Sequence, residues 1–103
     1  MRKLLFIISV LISATTFSQN GNIRGFVYEK ESGEPVMFCN VVLKGTTTGA
    51  PTDINGMYNI AKVKAGNYTL VVTYIGFDTT EVNITLKAGQ VLSQNLEIGE
   101  SSV

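Results

Sequence analysis

Asn67-Tyr68-Thr69-Leu70-Val71-Val72-Thr73-Tyr74-Ile75, enclosed by Gly66 and Gly76, is the stretch that decides the fold. Alternation puts Leu70, Val72 and Tyr74 on one face and Val71 and Thr73 on the other. The run is rich in β-branched and aromatic side chains, which suit a pleated surface and crowd a helix. Downstream, Asp78 to Leu86 repeats the pattern, with Val82, Ile84 and Leu86 inward and Glu81, Asn83 and Thr85 outward. Lys87-Ala88-Gly89 turns the chain into a last strand from Gln90 to Ile98, and Glu100 to Val103 reads as a tail. Upstream, strands are expected over Asn22 to Glu29, Val36 to Lys44, Ala50 to Thr52 and Met57 to Ala61. The polar turn from Lys30 to Pro35, the Gly45 to Gly49 loop, the Asp53-Ile54-Asn55-Gly56 turn and the Lys62 to Gly66 loop separate them. From residue 19 onward there are 10 Val and 9 Thr against 4 Ala and 5 Leu, and no apolar period of 3.6 residues appears. Seven short strands with turn glycines between them predict an all-β, Greek-key β-sandwich.

Composition removes several classes of function. A chain of 103 residues holds one small domain, too little for a Rossmann enzyme, a TIM barrel or a complete outer-membrane barrel. Without His there is no Ser-His-Asp or Cys-His engine and no His-ligated metal. One Cys permits neither an intrachain disulfide nor a thiolate cluster. A formal net charge of zero argues against nucleic acid, which needs a concentrated basic face.

The N-terminus has the pattern of an export signal. Arg2 and Lys3 precede an apolar run, Leu4 to Ile12, broken only by Ser9. Small and polar residues follow, and Thr16-Phe17-Ser18 puts small residues at the positions a signal peptidase reads. A helical signal segment over 1–18 is therefore expected, cut between Ser18 and Gln19. The apolar run is about half of the roughly 20 residues a spanning helix needs. No Cys follows it at which a lipid anchor would attach. Residues 19–103 carry six basic and eight acidic side chains, a net charge of −2 that favours solubility.

Several pieces, in order, carry a family likeness. They are Gly25-Phe26-Val27-Tyr28, Ser32-Gly33-Glu34-Pro35-Val36, Asn40 to Gly49, Thr52-Asp53-Ile54-Asn55-Gly56-Met57-Tyr58, and Ala65-Gly66-Asn67-Tyr68-Thr69-Leu70 through Gly76-Phe77. The series resembles the carboxypeptidase-regulatory-like domain, a transthyretin-like β-sandwich. It looks most like the version at the N-terminus of TonB-dependent outer-membrane receptors of Bacteroidetes-type bacteria, glycan importers among them. The likeness covers about 21–98, with 99–103 a tail or truncated linker.

This resemblance implies a non-enzymatic accessory domain in the periplasm, associated with the outer membrane and with nutrient import. Its protein partner would be the receptor's plug and barrel or a TonB-type energy-transducing complex. In such receptors a TonB-contacting segment, a plug and a barrel follow, whereas this chain stops at Val103. A piece of a longer receptor and a free-standing exported copy both remain open. The alternative function is a secreted binding module for glycan or cell surface, using Phe26, Tyr28, Tyr58, Tyr74 or Phe77.

Other residues have both a chemical and a structural interpretation. Gly45 to Gly49 lacks the Gly-Lys-Ser/Thr ending of a phosphate loop, so a strand connection is expected. Asp53 to Gly56 lacks the first acid and the final Glu of a calcium loop. Asp53 is instead expected to bind amides two or three residues on, with Gly56 in the left-handed region. Cys39 shares strand parity with Val41 and Leu43 and is expected to be buried and inert. Glu29, Glu31 and Glu34 surround a polar turn with no pocket implied for paired-carboxylate hydrolysis. Asn67-Tyr68-Thr69 and Asn83-Ile84-Thr85 are formal glycan sequons read as products of Thr-rich strands, and Asp78-Thr79-Thr80 resembles a bacterial O-glycosylation pattern. Tyr68 is expected at a corner, ring inward and hydroxyl on backbone. No catalytic, cofactor-binding or metal-ligating residue is assigned, and no cofactor is implied.

Overall fold

The computed structural model describes residues 19–101; the expected signal segment lies outside them. Eight strands follow in order: β1 (Gly21–Glu29), β2 (Asn40–Leu43), β3 (Gly49–Pro51), β4 (Met57–Val63), β5 (Gly66–Thr73), β6 (Thr80–Leu86), β7 (Val91–Ser93) and β8 (Leu96–Ile98). They form two sheets, as the alternation predicts. The first has β1 at its centre, antiparallel to β4 on one side and parallel to β7 and β8 on the other. The second runs β3-β2-β5-β6, all antiparallel. Among the described residues there is no helix.

The inner faces meet along the alternating positions. Ile23, Val27, Tyr58, Ile60, Leu96 and Ile98 come from the first sheet. Val41, Leu43, Leu70, Val72, Ile84 and Leu86 come from the second. Burial of such side chains is worth roughly 1.5–3 kcal/mol each, less the entropy of ordering them.

Three expected strands differ most from those observed, and the others shift at their ends by one or two residues. The run from Val36 to Lys44 is strand only from Asn40. Before that, the chain folds back under Thr52, whose hydroxyl donates to the Val36 carbonyl at 2.7 Å and accepts the Cys39 N–H at 3.1 Å. Val36 and Cys39 stay in the core while Met37 and Phe38 form an exposed apex, with Phe38 at φ +60°. In β5 the alternation holds for Leu70 and Val72 but stops at Thr73, and Tyr74 faces outward at the start of a turn.

The third difference is in the last strand, expected from Gln90 to Ile98, which is split at Gln94-Asn95. Both halves follow the same edge of β1. Its Asn22 N–H donates to Gln90 O at 2.9 Å, and its Lys30 N–H donates to Ile98 O at 2.8 Å. At the break, the Asn95 side-chain oxygen takes the place of a backbone carbonyl and accepts the Phe26 N–H at 3.0 Å. The chain is pressed so close here that a Cβ on Gly25 would lie 2.1 Å from Gln94 O. Tyr58, paired across from Gly25, donates its hydroxyl to that same carbonyl at 2.6 Å.

Gly25→Ala is therefore expected to cost about 3 kcal/mol, since backbone rather than a flexible side chain blocks the new methyl. Tyr58→Phe should cost about 1–2 kcal/mol by orphaning the Gln94 carbonyl. Gly99→Ala, whose nearest neighbour is the Lys30 stem at 3.9 Å, should stay within about 0.5 kcal/mol. Urea unfolding followed by circular dichroism measures all three. Equal losses for Gly25→Ala and Gly99→Ala would contradict this packing.

Candidate interaction surface

Strand directions sort the loops between two ends. The β1–β2, β3–β4 and β5–β6 connections lie at one end, together with 99–101. The tail is fastened there: Asp78 N–H donates to Gly99 O at 2.9 Å and Ser101 N–H to Gly76 O at 3.0 Å. The opposite end holds the β2–β3, β4–β5 and β6–β7 connections.

Exposed apolar side chains are distributed unequally between these ends. Of the six large ones among the described residues, Met37, Phe38, Ile54, Tyr74 and Ile75 are on the loops of the first end, and Val91 is elsewhere. Phe38 is 62% exposed and Ile75 96% exposed. Phe38, Tyr74 and Ile75, with Asn40, Thr73 and Thr79, line a groove of about 370 Å³. The Tyr74 and Phe77 rings meet at 5.5 Å beside it. Sequence pattern does not show this surface, because it puts Met37, Phe38, Tyr74 and Ile75 in strands. The available signal was Val36-Met37-Phe38-Cys39, four apolar residues in a row next to Pro35, more than one end of a small core can enclose.

The residues with chemical alternatives are engaged in building turns. Asp53 Oδ1 accepts the Asn55 and Met57 N–H groups at 2.8 and 3.0 Å, and Gly56 takes φ +79° against Pro35. In the Gly45 to Gly49 loop, Thr46 Oγ1 donates to Leu43 O and accepts the Thr48 N–H. Tyr68 donates its hydroxyl to Lys64 O at 2.6 Å, the expected corner role. Glu29 and Glu31 gather with Glu100, not Glu34, their carboxylates within 4.8 Å of one another on an open surface. Each sequon Asn accepts a hydrogen bond from the Thr of the other: Thr69 to Asn83 and Thr85 to Asn67, both at 2.8 Å. Asp78 and Thr79 are exposed. Of the aromatics, Tyr58 is core, whereas Phe26 and Tyr28 stack at 6.0 Å, half-buried on the outer face of β1.

Two buried groups have shifted acidities. Burial pushes the Cys39 thiol up from 9.0, opposed in part by its hydrogen bond with Thr52. Burial also pushes the Tyr58 phenol up from 10.0. In both cases the unfolded chain ionises first. Their contribution is therefore fully present below about pH 9 and is lost as pH rises through the folded-state values. Stability measured by urea titration should fall above about pH 9, and Cys39→Ala combined with Tyr58→Phe should flatten that fall. A thiol reagent should modify Cys39 only after unfolding. Modification of the native chain as fast as of the unfolded chain would contradict its burial.

Comparison with known proteins agrees with this architecture. The chain is 35% identical over 95 residues to the TonB-dependent receptor SusC of Bacteroides thetaiotaomicron, covering 92% of this chain and 9% of the receptor. It is 34% identical over 84 residues to a TonB-dependent receptor of Formosa agariphila, covering 82% of this chain and 8% of that receptor. The chain thus spans under a tenth of the length of the receptors it matches. In fold it is similar to a chain of a type II cohesin–X-dockerin complex from Acetivibrio cellulolyticus, with a TM-score of 0.68 at 24% identity, over 81% of this chain and 60% of that one. The profile of the CarboxypepD_reg-like domain matches residues 23–103, and the chain belongs to that family.

Proposed function

We propose that the chain is a non-enzymatic docking domain of the outer-membrane import machinery, working as the N-terminal accessory module of a TonB-dependent receptor. The observation that carries this is the concentration of exposed Met37, Phe38, Ile54, Tyr74 and Ile75 at one end of the sandwich. Exposed apolar patches rimmed by polar groups mark contact with other proteins. The receptors it resembles supply the kind of partner: the receptor's own plug and barrel or the energy-transducing complex. Engagement of the apolar end would steer when the receptor meets that complex. A pattern of Arg2, Lys3, an apolar run and Thr16-Phe17-Ser18 supports export to the periplasm. A non-catalytic role is supported by the polar groups themselves: Asp53, Thr46, Thr52 and the hydroxyl of Tyr58 are engaged in turns and strand crossings. Among the described residues no buried side-chain nitrogen or oxygen lacks a partner.

Phe38→Ser with Ile75→Ser removes apolar surface without touching the core, so the domain should fold as before. In a receptor carrying this domain, the double variant should lower uptake of the receptor's nutrient several-fold and weaken crosslinking to the partner. Unchanged uptake and unchanged crosslinking would reject the docking role of this end.

A further inference from the structure

Four edges bound the two sheets, and three are protected against pairing. β3 is three residues long and carries Pro51. β4 has a register shift near Val63 and Lys62 at φ +58°, a bulge that bends the edge. β7 and β8 are three residues each, interrupted at Gln94-Asn95. β6 is different: seven residues, with neither Pro nor a bulge. Such an edge is a template for a further strand.

Strand phase shows which groups β6 offers. Lys44 N–H donates to Thr69 O, which aims the Thr69 peptide groups at β2. The alternating residues Tyr68, Leu70 and Val72 therefore pair with Ile84, Val82 and Thr80. That leaves the N–H and C=O of Glu81, Asn83 and Thr85 directed to the open side. Among the described residues β6 pairs with β5 alone, and no loop or turn backbone hydrogen bond reaches these groups.

We propose that β6 pairs antiparallel with β6 of a second copy of this chain, about a two-fold axis at Ile84, joining two four-stranded sheets into one of eight. Charge and hydrogen-bond complementarity select this occupant. In this register Glu81 stands opposite the partner's Lys87 and Lys87 opposite the partner's Glu81. Glu81 spends one carboxylate oxygen on Lys44 at 3.1 Å, leaving the other for the second lysine. Asn83 stands opposite the partner's Thr85. Asn83 already accepts from Thr69 through its oxygen, so its amide N–H₂ is the free half. Thr85 already donates to Asn67, so its hydroxyl oxygen retains acceptor capacity. The Asn–Thr pairing of β5 with β6 thus continues across the axis with every donor and acceptor in the correct sense. On the inner face Val82, half-buried at this edge, is the apolar side chain that the second copy would cover.

The proposal is independent of the receptor assignment, because it is read on the purified chain alone. Sedimentation velocity across a concentration series should show a monomer–dimer equilibrium. K87E should loosen the dimer about tenfold by placing like charges opposite one another. The exchanged pair E81K/K87E should restore most of that loss. Asn83→Pro removes an outward N–H with no partner in the monomer, and should abolish the dimer. Circular dichroism checks that each variant remains folded; should Asn83→Pro unfold, the two charge variants still decide. A strict monomer at about 1 mM overturns the proposal and leaves the edge to an extended segment of another protein. A dimer indifferent to K87E and to E81K/K87E overturns it equally.

Discussion

The crossing of Gln94 over Gly25 is the constraint on which the sandwich depends. Among the described strands of the first sheet β1 alone has neighbours on both sides, and it comes first in sequence among them. Its parallel partners come from the end of the described chain, so closing that sheet joins the two extremes of the domain. Gly25 lets the returning backbone approach, and Tyr58 holds the Gln94 carbonyl from β4 at 2.6 Å. Asn95 then repairs the rung lost at the break by offering its side-chain oxygen to Phe26. One point therefore binds β4, β1, β7 and β8. The exposed Lys44–Glu81 ion pair, by contrast, contributes at most about 1 kcal/mol.

That construction has a consequence for the ends of the molecule. In the loops opposite the apolar end Thr46 ties the β2–β3 connection, the Tyr68 hydroxyl holds Lys64 O, and Gln90 holds Lys87. At the apolar end the Thr52 hydroxyl holds Val36 and Cys39 in place, and this presents Met37 and Phe38 outward. The same buried hydroxyl that secures the loop thus creates the exposed surface. Fold stability and the exposure of Met37 and Phe38 are linked through Thr52 rather than competing for the same residues. Because 99–101 is fastened to 76–78, that surface also adjoins the C-terminal side of the described chain.

Much of this was legible in the residues. The period-two alternation of Leu70 and Val72, and of Val82, Ile84 and Leu86, located the faces of β5 and β6, and turn chemistry located Asp53 to Gly56 and the Tyr68 corner. Burial of Cys39 followed from its parity with Val41 and Leu43. What escaped was long-range. Gln94 and Asn95 are ordinary polar residues whose jog makes sense only when β1 lies beside them. Met37 and Phe38 have the composition of a central strand, and only the hydrogen bonds from Thr52, sixteen residues beyond Val36, turn them outward. Periodicity reports which face a strand buries; it does not report where a strand stops when a distant hydroxyl competes for its carbonyl.

In the proposed function the apolar end, and not the opposite end, meets another protein of the import machinery. Site-specific photocrosslinking in cells that express the chain natively tests this most directly, with the photoreactive side chain placed at position 38, 75 or 47. Adducts with an outer-membrane receptor polypeptide or its energy-transducing partner from 38 and 75, and none from 47, are the predicted result. Adducts from 47 alone, or none from 38 and 75, would contradict a docking role for the apolar end.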